Sequence, residues 1–107
     1  MSITSDLIRG HTETIILSYL GKKDSYGYEI NKSIAEATNS EYELKEATLY
    51  SAFRRLEEAG QIYSYWGNET VGARRRYYSI TRQGREALTS HKTEWERAKR
   101  LIDNMLA

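Results

Sequence analysis

Apolar residues recur at helical spacing through most of the chain, and this pattern predicts four helices and one hairpin. The first predicted helix covers residues 5–20, where leucine and isoleucine side chains share one broad face. Ser5 or Asp6 can cap its start, and Gly21 can end it. The pattern therefore favours one continuous N-terminal helix that buries this face.

Two further helices follow within a short distance of each other. The second predicted helix covers residues 25–38, has isoleucines four residues apart, and takes Asp24 or Ser25 as its N-cap. The third begins near residues 45–46 and ends at Gly60, which fits the left-handed position after a helix. Two helices joined by a short connection are typical of a helix-turn-helix.

The third helix has two different faces. Its apolar stripe, at positions i, i+4 and i+7, consists of Leu49, Phe53 and Leu56. Its other side offers hydroxyl and cationic groups from Thr48, Ser51, Arg54 and Arg55, with Tyr50 alongside. A helix fits the major groove of B-DNA, and side chains near its N-terminus reach base edges there. This helix is therefore the candidate reading element.

A hairpin is predicted next. Segments 61–66 and 76–80 are rich in β-branched and aromatic residues, and residues 67–73 join them with glycine at both ends. Trp66 ends the first strand and is predicted to pack, not to stack on a base. Three arginines follow the tip: Arg74, Arg75 and Arg76. A wing of this kind can bring cations to the DNA backbone or minor groove.

The last predicted helix starts at its cap, Thr81, and continues to about Leu106, a length of roughly 39 Å. Its apolar seam consists of Leu88, Trp95, Ala98, Ile102 and Met105, with His91 at the missing d position. The seam favours a partner helix. The alternative is a helix folded back on its own domain.

These elements predict a mostly α (α+β) fold, a winged helix-turn-helix with a long C-terminal dimerisation helix. Residues 1–80 are predicted to form the DNA-binding domain and residues 81–107 the dimerisation helix. The hypothesis that competes with DNA binding is a winged-helix dimer that acts as a protein-interaction module, without DNA or ligand binding.

Composition narrows the chemistry. The 107 residues include no cysteine, which excludes disulfides and thiolate metal sites. His11 and His91 are far apart in sequence, and no nucleophile with a base can be assembled. We therefore predict no enzyme activity, no cofactor and no metal. No apolar run approaches the roughly 18 residues of a membrane span, and no secretory signal is visible, so a cytoplasmic location is expected.

Charge is unevenly distributed along the chain. The formal net charge is only +1. Residues 1–44 hold four basic and seven acidic side chains, whereas residues 45–82 hold seven basic and four acidic ones. A local basic face can bind a polyanion even when the whole molecule is nearly neutral. The alternative is a solvated basic loop.

Five short segments stand in a characteristic order along the chain. They are YGYEI at 26–30, EATLY at 46–50 with RLE at 55–57 and Gly60, SYWG at 64–67, RRRYY at 74–78, and Thr81 with Gly84. Together they resemble the PadR family of bacterial transcriptional regulators, over nearly the whole chain. The single terminal helix places the sequence in the small PadR subfamily.

The resemblance implies a homodimer on double-stranded DNA. The last helix of each subunit would pack on the first and last helices of the other, and the protein would act as a repressor at a pseudo-palindromic operator. The resemblance and the helix face together predict these DNA contacts: Tyr26, Lys45, Thr48, Tyr50, Ser51, Arg54, Arg55, Arg74, Arg75 and Arg76. The implied dimer interface contains Leu88, Ala98, Ile102 and Met105.

Lys45 departs from the family pattern, which usually has serine or asparagine at this N-cap. Lysine cannot accept the unpaired N–H groups, and its charge opposes the helix dipole. The residue is either a weak cap or a phosphate contact, and the two interpretations are compatible.

The resemblance also implies a site for a planar aromatic small molecule. In a drug-sensing member of the family, the matching tryptophan and its symmetry mate sandwich planar cations at the dimer centre. The implied effector residues are Trp95, Glu13, Thr14, Leu17 and Lys99. Lys99 is a departure, because its charge disfavours a cationic drug. The alternative is that Trp95 only packs in the dimer seam.

Overall fold

The computed structural model describes residues 2–107, which form five helices and one antiparallel two-stranded sheet. The elements in chain order are α1 (Ile3–Arg9), α2 (Thr12–Lys22), α3 (Gly27–Ala37), α4 (Glu46–Glu58), β1 (Ile62–Trp66), β2 (Arg76–Ile80) and α5 (Arg82–Leu106). The predicted fold class is confirmed: α3 and α4 are the helix-turn-helix, and the β1–β2 hairpin is the wing. No helix within residues 2–107 combines the length and the apolar character needed to cross a bilayer.

The prediction of one N-terminal helix is wrong, because the chain turns between α1 and α2. The Gly10 N–H donates to the Asp6 carbonyl at 3.0 Å, and the His11 N–H donates to the Ile8 carbonyl at 2.9 Å. The second bond has 3₁₀-type spacing, which tightens the end of a helix. A new helix, α2, then starts at Thr12.

Three predicted helix ends also differ from the structure. Ser2 caps α1 by accepting a hydrogen bond from the Ser5 N–H, so neither Ser5 nor Asp6 is the cap. Gly21 lies inside α2, where it leaves room for Leu88 of α5: a methyl group at position 21 would touch the Leu88 side chain at 3.4 Å. Tyr26 is the N-cap of α3, without a side-chain cap bond.

The core lies between α2, α3, α4 and the hairpin. It consists of Ile16, Leu17, Leu20, Ile30, Ile34, Leu44, Leu49, Ala52, Phe53, Leu56, Ile62, Tyr78 and Ile80. The predicted stripe on α4 is confirmed, since its three residues are all buried. Phe53 stacks on Tyr78 of β2 with ring centroids 3.9 Å apart, so the recognition helix and the wing share one packing contact.

The wing is joined to the helix-turn-helix by backbone hydrogen bonds. Ser25 and Tyr78 exchange both N–H to carbonyl bonds, at 3.2 and 2.8 Å, which adds a one-residue bridge to the hairpin. The hairpin itself pairs Ile62 with Ile80 and Trp66 with Arg76. Ser25 is therefore a strand-like residue, which corrects its predicted role as a helix cap.

Helix α5 begins in the core and then leaves it. Thr81 caps it as predicted, by accepting the Gly84 N–H at 3.1 Å. Gly84 is buried against the Gln61 carbonyl, where any side chain would collide with backbone. Leu88 is half-buried and packs on the core of its own chain, and its predicted place in the dimer interface stays a prediction. Beyond it, the apolar side chains of Leu101, Ile102, Met105 and Leu106 are exposed.

Candidate nucleic-acid interface

Packing of α4 decides which of its side chains face solvent. The buried residues Leu49, Ala52, Phe53 and Leu56 turn one side of the helix to the core. Arg54 and Tyr50 are exposed on the other side, and Thr48 and Ser51 are half-buried. Lys45 at the N-cap is exposed and makes no side-chain cap bond, so the N–H groups of the first turn stay available to an anion.

Tyr50 links the recognition helix to the start of α3. Its ring meets the Phe53 ring edge-on at 5.6 Å, and its hydroxyl lies over Gly27. A methyl group at Gly27 would come within 2.7 Å of the Tyr50 hydroxyl oxygen. The absence of a side chain at Gly27 therefore lets the Tyr50 ring pack on α3, and 43% of Tyr50 remains exposed.

The two arginines of α4 have different surroundings. The Arg55 Nε donates to the Glu13 Oε1 of α2 at 2.6 Å, although the two residues are 42 positions apart. Arg54 makes no ion pair with any residue of the described chain, 2–107. The structure therefore joins a predicted DNA residue to a predicted effector residue, and Arg54 is the α4 arginine that remains available to a phosphate or a base.

Two of the three wing arginines lie beside the ring of Trp66, the last residue of β1. The guanidinium carbons of Arg74 and Arg76 lie 5.9 and 5.8 Å from the centroid of its ring. The Arg74 Nε also donates to the Gly67 carbonyl at 3.1 Å. Trp66 is 54% exposed, so the prediction that it packs is wrong: it supports two arginines at the surface.

Arg76 points back toward α4. Its Nη2 donates to the Ser64 hydroxyl at 2.8 Å and lies 4.0 Å from the Glu57 Oε1. This partial pairing leaves Arg76 less available to DNA than Arg74.

Arg75 connects the wing to the start of α3. Its guanidinium carbon lies 4.8 Å from the centroid of the Tyr26 ring, and the Tyr26 ring meets Tyr77 of β2 edge-on at 5.4 Å. Two predicted DNA contacts, Tyr26 and Arg75, are therefore brought together.

Glu69 is a residue that sequence reasoning missed. It lies in the loop between the strands, accepts the Arg75 N–H at 2.8 Å and the Tyr77 hydroxyl at 3.0 Å, and has the Arg75 guanidinium 3.9 Å away. The bond from the Arg75 N–H lowers the pKa of the Glu69 carboxyl. The second bond raises the pKa of Tyr77, because the Tyr77 hydroxyl donates it to Glu69 and it favours the neutral phenol. A carboxylate between two glycines, ahead of three arginines, was the available signal.

A second tyrosine–carboxylate pair lies near the loop end of the wing, at Tyr65 of β1. The Tyr65 hydroxyl donates to the Asp24 Oδ2 at 2.5 Å. This bond favours the neutral phenol, and it raises the pKa of Tyr65 to about 12. The contact adds a side-chain link between the wing and the α2–α3 connection.

We expect Tyr65 to titrate above the ordinary tyrosine pKa of 10.0 and to reach its midpoint near pH 12. Its folded pKa is raised, so the contribution of the bond to stability is complete below pH 10 and is lost as the pH rises through 12. Absorbance titration of tyrosinate should show a late step that Tyr65→Phe removes. Asp24→Asn should move that step toward lower pH, and an unchanged titration in both variants would contradict the assignment.

The predicted effector residues lie around Trp95. The Trp95 ring meets His11 edge-on at 4.7 Å, the Lys99 Nζ lies 5.7 Å from its centroid, and the Thr14 hydroxyl is 3.1 Å from the His91 Nδ1. Glu13, Thr14 and Trp95 line one open cavity of about 640 Å³ between α1, α2 and α5.

Leu17 does not reach this cavity. It is fully buried in the core, so its assignment to the effector site is wrong. The residue that α2 presents to the cavity at the previous turn is Glu13.

These features together define the class: a winged helix-turn-helix regulator of transcription that binds DNA. The family described as the transcriptional regulator PadR-like family matches residues 16–90, and the chain belongs to it. The family consists of transcriptional regulators and not of enzymes, which agrees with the prediction that the chain is no enzyme.

Similar proteins extend this likeness to nearly the whole chain. A transcriptional regulator from Clostridium thermocellum is 51% identical, with a TM-score of 0.88, and the likeness covers 96% of this chain and 97% of that one. A PadR family transcription regulator from Clostridium difficile is 42% identical, with a TM-score of 0.79 and coverage of 91% and 99%. A protein of Lysinibacillus sphaericus is 45% identical over 101 residues, 94% of this chain and 93% of the relative.

Proposed function

We propose that the protein is a repressor that binds a pseudo-palindromic operator as a homodimer and is released by a small planar effector. The DNA-binding part rests on one observation: the start of α3 contacts both reading elements. The Arg75 guanidinium of the wing lies over the Tyr26 ring, and the Tyr50 hydroxyl of α4 lies against Gly27. A helix that enters the major groove and a wing beside it are thus held in a fixed relation.

The proposed dimer uses the exposed part of α5. Ala98 is half-buried, and Ile102 and Met105 are exposed apolar residues on a helix that extends past its own core. Leu7 of α1 lines the same cavity as Ala98 and Ile102, so α1 and α5 bring apolar side chains together beside the charged residues of that cavity. A second copy of the chain would cover these apolar side chains and set two recognition helices a fixed distance apart.

The proposed effector site is the cavity beside Trp95. The chain is similar to the lactococcal multidrug-sensing repressor in its LKEATLY, SYWG and RRRYY segments and in the tryptophan of the last helix. An exposed indole face attracts a planar, polarised ring. The nearby Glu13 carboxylate is paired with Arg55, so the charge that it offers to a cation is already largely balanced. Lys99 beside the same ring opposes a strongly cationic ligand. If Trp95 only packs in the dimer seam, its replacement by alanine should leave dye binding unchanged.

We expect a planar aromatic dye at micromolar concentration to quench the tryptophan fluorescence of the protein. The measurement uses the Trp66→Phe variant, because Trp95 is then the one tryptophan left of the two in the sequence. Dye binding, measured separately by the anisotropy of the dye, should be lost in Trp95→Ala. Equal binding by Trp95→Ala would contradict a site at this residue.

DNA binding is tested by footprinting the purified protein on the region upstream of its own coding sequence. We expect the protein to protect two DNA half-sites about one helical turn apart. Its affinity for this DNA should fall steeply as the salt concentration rises. Light scattering on the same sample should give the mass of two chains. A monomer, or a protein that shows no preference for any duplex at low salt, would overturn the proposal and favour a protein-interaction module.

A further inference from the structure

We propose that Glu69 is a positioning residue for DNA binding: its carboxylate folds the loop of the wing into the shape that presents Arg74 and Arg75 to DNA. This inference rests on the proposed function, because it requires that the wing contacts DNA. It assigns a constructive role to an acidic side chain within the most basic part of the chain.

The Glu69 side chain is turned inward, unlike its neighbours in the loop. Only 18% of it is exposed, whereas residues 70–73 are all exposed. Both of its oxygens are used: Oε1 accepts the Arg75 N–H and Oε2 accepts the Tyr77 hydroxyl. The carboxylate thus binds the backbone of Arg75, just before β2, and the side chain of Tyr77 within β2.

Gly67 provides the space for this carboxylate. A methyl group at position 67 would lie 2.5 Å from each Glu69 oxygen and 2.6 Å from the Tyr77 ring. The Gly67 N–H donates to the Arg75 carbonyl at 2.7 Å, which closes the loop from the other side. Gly67, Glu69, Arg75 and Tyr77 therefore form one connected cluster, which we call the wing cluster.

The wing cluster determines where two cations point. The backbone of Arg75 is held on both its N–H and its carbonyl, and its guanidinium then lies over Tyr26 at 4.8 Å. Arg74 is attached to the carbonyl of Gly67, a member of the cluster, and lies beside Trp66. Removing the Glu69 carboxylate would free the loop that sets both positions.

Glu69 could affect DNA binding through its negative charge alone or by positioning the arginines. The two roles predict opposite changes in DNA affinity when Glu69 is neutralised. A negative charge beside DNA repels phosphate, so its loss should raise affinity at every sequence if charge alone matters. If Glu69 positions the arginines, its loss should lower affinity and reduce the salt dependence, because fewer phosphates are neutralised. The sign of the change in affinity therefore separates the two.

The experiment compares Glu69→Gln, Glu69→Asp and Tyr77→Phe with matched controls. Glu58→Gln removes one carboxylate from the exposed end of α4, and Tyr63→Phe removes one exposed hydroxyl from the same sheet. Binding is measured by fluorescence anisotropy on a duplex that the wild-type protein selects from a random pool, at several salt concentrations. Thermal unfolding of each variant is measured in parallel to confirm that the domain is folded.

Glu69→Gln and Glu69→Asp are expected to weaken binding by roughly five- to tenfold and to reduce the salt slope by about one unit per subunit. Tyr77→Phe, which keeps all charges, should weaken binding in the same direction, and both controls should bind as well as the wild-type protein. Equal or tighter binding by Glu69→Gln, or unchanged binding by Glu69→Asp, would overturn the inference. If a variant without Arg74, Arg75 and Arg76 binds as tightly as the wild-type protein, the wing does not contact DNA. That result would contradict the proposed wing contact itself and not only the role of Glu69.

Discussion

Replacing Arg74, Arg75 and Arg76 together by alanine is expected to weaken operator binding on the order of a hundredfold at moderate salt. Each arginine that neutralises a phosphate releases counterions, so the slope of log affinity against log salt should fall by about 0.9 for each lost contact. Affinity for random-sequence duplex should fall in parallel, because phosphate contacts carry little sequence information. Anisotropy titrations at four or five salt concentrations measure both quantities.

A matched control removes the same number of charges elsewhere. Arg82, Arg97 and Arg100 are exposed on α5, and their triple alanine variant changes the net charge equally. Its oligomeric state is measured at the same concentrations, since these residues lie on the proposed dimer helix. An unchanged salt slope in the wing variant would contradict a wing contact with DNA.

The second large effect is expected from Phe53→Ala, which should lower the free energy of unfolding by about 3–5 kcal/mol. Phe53 is 1% exposed, stacks on Tyr78 and meets the edge of Tyr50, so its removal leaves a cavity under both the recognition helix and the wing. Domains of this size have a total stability of about 5–15 kcal/mol, so the loss is a large fraction of it. Urea unfolding followed by circular dichroism measures the change.

Phe53→Leu is the control for this variant. It keeps an apolar side chain of similar size and is expected to cost less than about 1.5 kcal/mol. A midpoint of urea unfolding that is the same for Phe53→Ala and the wild-type protein would show that Phe53 does not support the core. Loss of DNA affinity in Phe53→Leu, without loss of stability, would show instead that the edge-on contact with the Phe53 ring positions Tyr50.

The elements with strong local signals were predictable from the sequence. The α4 stripe of Leu49, Phe53 and Leu56 is buried as its spacing requires, and Gly60 adopts a positive φ of 73° after the helix. Thr81 is a cap because its hydroxyl is three residues before the Gly84 N–H that it accepts. In each case the sequence signal is contained within a few residues along the chain.

Features that depend on distant residues were not predictable. Gly21 looks like a helix end in isolation, but α2 continues through it to Lys22, and the Leu88 side chain of α5 lies beside it. Leu17 was assigned to a cavity by resemblance, yet the rotation of α2 about its axis, set by packing on the core, buries it completely. The break at Gly10–His11 is hidden for a related reason, since apolar residues on both sides continue the same periodicity.

The polar contacts of the interface were the least predictable part. Glu13 and Arg55 belong to separate predicted sites and meet only because α2 crosses α4. Glu69 lies in a polar loop with no periodic signal, and its partners are revealed only when the hairpin register is known. Sequence identified which residue types gather at the interface, and the structure determined which of them are already paired.

The placement of α5 has a mechanical consequence. The helix is anchored at its base, where Gly84 and Leu88 fit against Gln61 and Gly21, and residues 101–107 at its far end are all exposed. At about 1.5 Å per residue it is a lever roughly 37 Å long, so a tilt of about 10° at the base would displace its tip by about 6 Å. A molecule bound beside Trp95, about halfway along α5, would therefore move the far end of the helix about twice as far as it moves the helix at Trp95 itself.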